Sequence, residues 1–221
     1  ATLYRLLQTL LNQDMLSYNE EEQTYKLGLK LVRMAHSAWL QSSLAPVAVP
    51  FIDDLSAKVG ETVHLAELDN GQVLYVDKRN PASPIEMYSQ AGKVGPAYCT
   101  GVGKAMMAFL DESELNKVIS KQAFHKYTEH TITSAKALKK ELATIKKEGI
   151  SFDRQEHEEK IICISSPILS TNGKVIGGLS ITSSVDIHSL KSLEKFKPEL
   201  LETSQLIGKE AGAWSFPEKN Y

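Results

Sequence analysis

Two Asn-Gly dipeptides, each set between runs of β-branched and aliphatic residues, constrain this chain more than any other feature. Asp69-Asn70-Gly71 separates residues 62–68 from 72–77, and Thr171-Asn172-Gly173 separates residues 161–168 from 175–182. Asn-Gly readily takes the positive φ values of a tight hairpin turn, and the flanking residues suit a pleated, half-buried surface. Two antiparallel hairpins are therefore expected, with helical patterns between and after them at 101–110, 112–120, 134–148 and 189–212. Hairpins with helices gathered in this way indicate an α+β domain built on one sheet. Lys136, Lys139, Lys140, Lys146 and Lys147 fall mostly opposite Leu138, Leu142 and Ile145, as the solvated face of one of these helices would.

A chain of 221 residues with 42% hydrophobic and 24% charged residues has the composition of an ordinary globular protein. Its formal net charge of −2 gives no general reason to expect nucleic acid or an anionic membrane as partner, so such a claim must rest on local features. No apolar run is as long as a membrane span, and the first residues lack the basic-then-apolar order of a signal peptide. A cytoplasmic protein with no membrane partner is expected. Cys99 and Cys163 are too few for a disulfide scaffold and read as buried, reduced thiols.

Leu3, Leu6, Leu7 and Leu10 lie on one helical face with no cap, turn or methionine ahead of them, so the chain is expected to begin inside an element. Alternating residues 15–18, polar residues 19–23 and a second short run at 24–27 make a hairpin. A helix followed by a hairpin is the second half of a winged helix-turn-helix, or equally a helix and hairpin of no special purpose. From Leu27 to Ser42 the pattern is helical, with Leu27, Leu31, Met34 and Ala38 four, three and four apart. Such a helix can link domains and pair with its own copy, or lie in one domain's core. A third helix, 44–59, ends at Gly60 as a C-cap; Pro46 suits its first turn, and Pro50 is expected to kink or restart it.

The stretch Tyr98-Cys99-Thr100-Gly101-Val102-Gly103-Lys104-Ala105 opens a helix with glycines and a lysine. A Walker loop needs glycine where Tyr98 stands and Ser or Thr where Ala105 stands, so a nucleoside triphosphate site is not expected. What remains is a helix start whose free N–H groups suit a small carboxylate or phosphate. Lys104 either adds charge there or faces solvent, the solvent-facing position being the expectation. Cys99, Cys163, His64, His125 and Asp153 contain the ingredients of thiol catalysis, but no nucleophile motif surrounds either cysteine. His125 and His130 are five apart, without tight ligand spacing. No catalytic residue, metal or cofactor is therefore expected; an enzyme with a Cys nucleophile and a purely oligomerising domain stand as the alternatives.

Several ordered segments together resemble one family. They are residues 2–10 (TLYRLLQTL), Tyr25-Lys26-Leu27-Gly28, Met87-Tyr88-Ser89, the 98–105 stretch, Tyr127-Thr128 with Thr131-Ile132-Thr133, Gly149 to Asp153 with Glu156, Cys163-Ile164 with Pro167, and Leu179-Ser180-Ile181. This order is similar to the IclR-type bacterial transcriptional regulators. The resemblance implies part of a winged helix at 1–28, a linker or dimerisation helix at 29–42, and an effector-binding domain at 43–217 with a curved antiparallel sheet of the GAF or profilin-like kind. It also implies a homodimer or dimer of dimers, operator DNA as partner of the full-length protein, and control of a catabolic operon by a small organic acid.

Carried over by position, the family's pocket falls on Gly101 and Val102, whose N–H groups would meet an effector carboxylate. Asp153, Cys163, Ser180 and Thr182 would line the opposite wall, and Met87 and Ile161 would give apolar contact. Thr2, Tyr4 and Arg5 would contact DNA. Related sequences usually carry glycine where this chain has Lys160, a cation that would reshape the pocket mouth, pair with the effector or face solvent. Residues 1–28 hold Arg5 and Lys26 against Asp14, Glu20, Glu21 and Glu22, so the hairpin tip is a poor phosphate clamp and weak operator binding is expected of this chain alone.

Overall fold

A computed structural model describes residues 2–42 and 44–213. The chain divides into two compact units at Ser43 and Leu44. In the first, helix α1 (Thr2–Asn12) leads into strands β1 (Leu16–Asn19) and β2 (Thr24–Leu27), paired antiparallel with Leu16 opposite Leu27. Asn19 Oδ1 accepts the backbone N–H groups of Glu21 and Glu22 and closes the turn. Helix α2 (Leu29–Ser42) starts two residues later than its periodicity suggests, because Leu27 is held in the hairpin. Gly28 donates to the Met15 carbonyl. A Cβ at Gly28 would fall 2.7 Å from the Asp14 carbonyl carbon, so only glycine allows this close crossing.

The second unit begins with α3 (Ala45–Val59), which passes through Pro50 without a break and ends on Gly60 at φ 67°. The helix is not restarted at Pro50, which is exposed. Strands β3 (Thr62–Asp69) and β4 (Gln72–Arg79) form the first Asn-Gly hairpin, with Asn70 and Gly71 at φ 50° and 84°. Then follow β5 (Val94–Pro96), α4 (Gly101–Met107), α5 (Glu112–Ser120), α6 (Ala135–Glu148) and β6 (Ser151–Arg154). Asp111 and Ser134 cap α5 and α6 through the N–H groups of Glu114 and Ala137, and Gly149 ends α6 at φ 72°. The five lysines of α6 are exposed, while Leu138, Leu142 and Ile145 are buried against the core.

The second Asn-Gly hairpin joins β7 (Ile161–Leu169) to β8 (Val175–Ser184). The final helix comes in pieces, α7 (Leu190–Leu193), a 3₁₀ turn at Glu194–Phe196 and α8 (Lys197–Ala213). Pro198 is the second residue of α8, in a first turn where its missing N–H leaves no helical acceptor unmet. The expected effector domain extends to residue 217, and its last four residues lie outside the described ones.

The six strands form one curved antiparallel sheet in the order β5-β4-β3-β8-β7-β6, an α+β half-barrel as expected. Neighbouring residues of a strand face opposite sides. A Cβ on Gly101 of α4 would sit 2.7 Å from Ser165 Oγ, whereas Ser166 hydrogen-bonds Ser204 of α8. Helix α4 therefore lies on one face of the sheet, and α8, with α3 packed beside it, on the other. Val102, Met106 and Met107 of α4 share a core with Leu138, Leu142 and Ile145 of α6.

Candidate functional site

The face under α4 carries an unusual row of polar side chains. Register aligns Asp153 with Cys163, Cys163 with Thr182 and Thr182 with Thr62 across four strands. One step along, Ser151, Ser165, Ser180 and His64 are aligned in the same way. All eight are buried. The first turn of α4 presses close onto this surface because position 101 is glycine; any Cβ there would collide with Cys163 Sγ.

Between α4 and these strands is a small cavity of about 30 Å³. Seven of the eight residues expected at an effector site line it: Gly101, Val102, Asp153, Ile161, Cys163, Ser180 and Thr182. Met87 is buried but outside the lining; two residues on, Ser89 reaches the cavity instead. Sequence reasoning missed Tyr75, Ser89, Thr100, His157 and Glu158, and took His64 only as a scattered base. The period-2 face shared by Thr62 and His64, read against the hairpin register, was the signal that could have found His64.

His64 is the hub of the polar wall. Its Nε2 shares a hydrogen bond with Ser89 Oγ at 2.9 Å, and its Nδ1 lies 3.3 Å from Thr182 Oγ1 and 3.4 Å from Ser180 Oγ. Burial, with a smaller contribution from Lys78, pushes its pKa down to about 3, so it is a neutral imidazole that donates one hydrogen bond and accepts another. Asp153 Oδ1 accepts the Glu156 N–H at 2.8 Å. Burial first, then the Glu156 charge, raises the Asp153 carboxyl to about 7. Thr100, ahead of the helix, spends its hydroxyl on the Pro96 carbonyl rather than on an N-cap bond. The first N–H groups of α4, which have no intrahelical acceptor, are thus left without that side-chain cap.

Lys104 does not face solvent. It is fully buried and paired with Glu156, and its Nζ lies 3.6 Å from Glu141 of α6. Arg154 completes the cluster at 2.7 Å from Glu141. Lysine was expected outside because a buried cation is costly unless paired, and the pairing residue lies 52 positions away in sequence. Lys160 points outward and pairs with Asp186 at 3.3 Å. Its backbone sits at φ 65°, a left-handed conformation that favours glycine.

Neither cysteine has the character of a nucleophile. Burial pushes the Cys163 thiol up to about 12 and that of Cys99 higher still, so the thiolate is absent near neutrality. Among the described residues, no group of three or more His, Cys, Asp or Glu is placed to hold a metal. No described helix is long and apolar enough to cross a membrane. Thr2, Tyr4 and Arg5 sit exposed on the first turn of α1.

Residues 36–209 match the family described as bacterial transcriptional regulator IclR, C-terminal. The HTH-type transcriptional regulator KdgR of Escherichia coli is 31% identical over 217 residues, spanning 98% of this chain and 82% of that protein. The crystal structure of Thermotoga maritima IclR superposes with a TM-score of 0.81 at 28% identity, covering 95% of this chain and 84% of that one. An IclR homologue of Microbacterium hydrocarbonoxydans, solved with 4-hydroxybenzoate, has the same fold, with a TM-score of 0.77 at 21% identity over 96% of this chain and 85% of that one. These relatives are named as regulators of transcription rather than as enzymes, and the chain belongs to the IclR family of bacterial transcriptional regulators.

Proposed function

We propose that the cavity beneath α4 is the effector site, that it takes a small organic acid, and that occupancy changes the protein's affinity for its operator. The observation that carries this reading is the convergence of His64, Asp153, Ser180 and Thr182 with the uncapped start of α4 on one small cavity. A small number of polar groups converging on one cavity is a common feature of small-molecule sites, and an organic acid would enter this one with some opening between α4 and the sheet. Gly101 and Val102 would hold the carboxylate through their N–H groups. Ser180, Thr182 and His64 would meet hydroxyl or keto oxygens, and Ile161 and Val102 would pack on the carbon skeleton.

In this reading residues 1–28 belong to a winged-helix DNA-binding domain with Thr2, Tyr4 and Arg5 near DNA, 29–42 link and dimerise, and 43–217 sense the effector. A cytoplasmic homodimer or dimer of dimers would place paired recognition helices on a palindromic operator of a catabolic operon. The effector acts only as far as it prefers one arrangement over another. The test is an electrophoretic shift of the full-length protein on its own promoter, with and without keto, hydroxy, sugar and aromatic acids, 4-hydroxybenzoate among them. An acid that changes the apparent Kd, and loses that effect in Ser180→Ala, supports the reading; operator affinity indifferent to every acid that binds contradicts it.

A further inference from the structure

The cavity has a charge problem for the acid that the proposed function places against its backbone donors. Its lining contributes two carboxyl groups, Asp153 and Glu158, and no lysine or arginine. The nearest buried cation, Lys104 of α4, is already engaged with Glu156 and Glu141. Arg154, adjacent to Asp153 on β6, points to the other side and is half-exposed against Glu141. Glu158 is better off than Asp153, since both its oxygens accept the Tyr88 N–H at 3.0–3.2 Å and it lies near Lys78.

The other groups around Asp153 offer no positive charge. Cys163 on β7 and Cys99 before α4 are thiols, and Tyr75 on β4 is a phenol whose pKa burial raises. His64 on β3 and His157 in the 155–160 loop both have pKa values lowered by burial and are neutral near pH 7. An anion placed at Gly101 and Val102 would therefore meet the Asp153 carboxyl, on which burial and the Glu156 charge outweigh the opposing pull of Lys104. Like charges held close in low dielectric do not both persist when one can take a proton.

We infer that the effector acid binds together with one proton, and that the proton lodges on the Asp153 carboxyl. The inference rests on the effector reading given above. The balance is simple: ligand carboxylate plus one proton from solvent enter, Asp153 goes from carboxylate to carboxylic acid, and the cavity's net charge is unchanged. The protonated carboxyl becomes a hydrogen-bond donor, so it can also hold an oxygen of the acid. The raised pKa of Asp153 agrees with this: part of the cost is already met near neutrality.

Proton linkage is measured directly. Titration calorimetry of the whole chain with lactate, 2-oxobutanoate, gluconate and 4-hydroxybenzoate, run at each pH in two phosphate-free buffers of different ionisation heat (MES and bis-Tris at pH 6, HEPES and Tris at pH 8), counts protons from the difference in buffer heats. For any acid that binds, uptake is expected to be close to one proton at pH 8 and close to none at pH 6. The Kd should weaken about tenfold per pH unit above 7, as one-proton linkage requires. Asp153→Asn should flatten that slope to less than about threefold from pH 6 to 9, while Glu158→Gln should leave it steep. Binding without proton uptake at pH 8, a slope unchanged in Asp153→Asn, or a preference for primary amides of the same acids would overturn the inference and leave the effector site standing. Failure of all four acids to bind at any pH would overturn both.

Discussion

Replacing Lys104 by methionine should be among the most damaging single changes in the chain. The side chain is fully buried, and Glu156, its partner, is 3% exposed at the side chain. Its second oxygen, Oε2, is buried without a hydrogen-bond partner. Removing the cation leaves that buried carboxylate with only the half-exposed Arg154, 3.8 Å away, and such losses cost up to about 3–5 kcal/mol in comparable sites. For a unit of this size each kcal/mol is worth roughly 2–4 °C, so a fall of about 6–20 °C is expected at pH 7.5. The loss must also depend on pH. Burial already raises the Glu156 carboxyl while Lys104 pulls it down; without Lys104 it rises further. A carboxyl raised in the folded state destabilises as pH climbs above its unfolded value, and not below it. The Lys104→Met deficit should therefore shrink as pH falls toward about 4.5. Urea denaturation of Lys104→Met, Glu156→Gln and the double variant closes the cycle, and the double variant should recover most of the loss. A deficit below about 1 kcal/mol at pH 7.5, or one that is flat with pH, would refute the reasoning.

Gly101→Ala should destabilise by about 1–3 kcal/mol in thermal melts, because the new methyl meets Cys163 Sγ and lies 2.7 Å from Ser165 Oγ. Asp153, raised to about 7 when folded, withdraws stability as pH rises from the ordinary carboxylate range through 7. Asp153→Asn should thus leave stability unchanged near pH 4 and increase it by on the order of 3–4 kcal/mol at pH 8, read by denaturant midpoints. Lys160→Gly should raise the melting temperature by about 1–3 °C, as relief of a left-handed lysine outweighs the added chain entropy and an exposed pair with Asp186 is worth little. Residues 1–28 are net acidic, so this chain by itself should bind operator DNA weakly in a fluorescence-anisotropy titration; nanomolar binding would count against that.

Local chemistry explains what was legible in advance. Asn70-Gly71 and Asn172-Gly173 fix their hairpins because the turn residues and the flanking strands agree, and Gly60 ends its helix for the same reason. Pro50 does not restart its helix, because the packing of Ala45, Val47, Ala48, Ile52, Leu55 and Val59 holds α3 together on both sides of it. Most of the pocket could be placed by resemblance, and Ser180 and Thr182 share a face by strand period alone. Lys104 and His64 could not be read locally. The first is decided by a glutamate in the distant 155–160 loop, and the second by which strand pairs beside it. Lys160 is the reverse case: its departure from glycine was visible, while the backbone conformation that favours glycine there was not.

The measurement that bears most directly on the account is a thermal-shift screen of this chain against keto, hydroxy, sugar and aromatic acids, repeated with Ser180→Ala and with Thr182→Val. An acid at one hundred times its Kd stabilises by about 2.7 kcal/mol, which is roughly 5–10 °C for a unit of this size. The account predicts such a shift for at least one acid and its reduction by more than half in each variant. No shift across the panel, or a shift that both variants leave intact, would contradict the placement of the effector beneath α4.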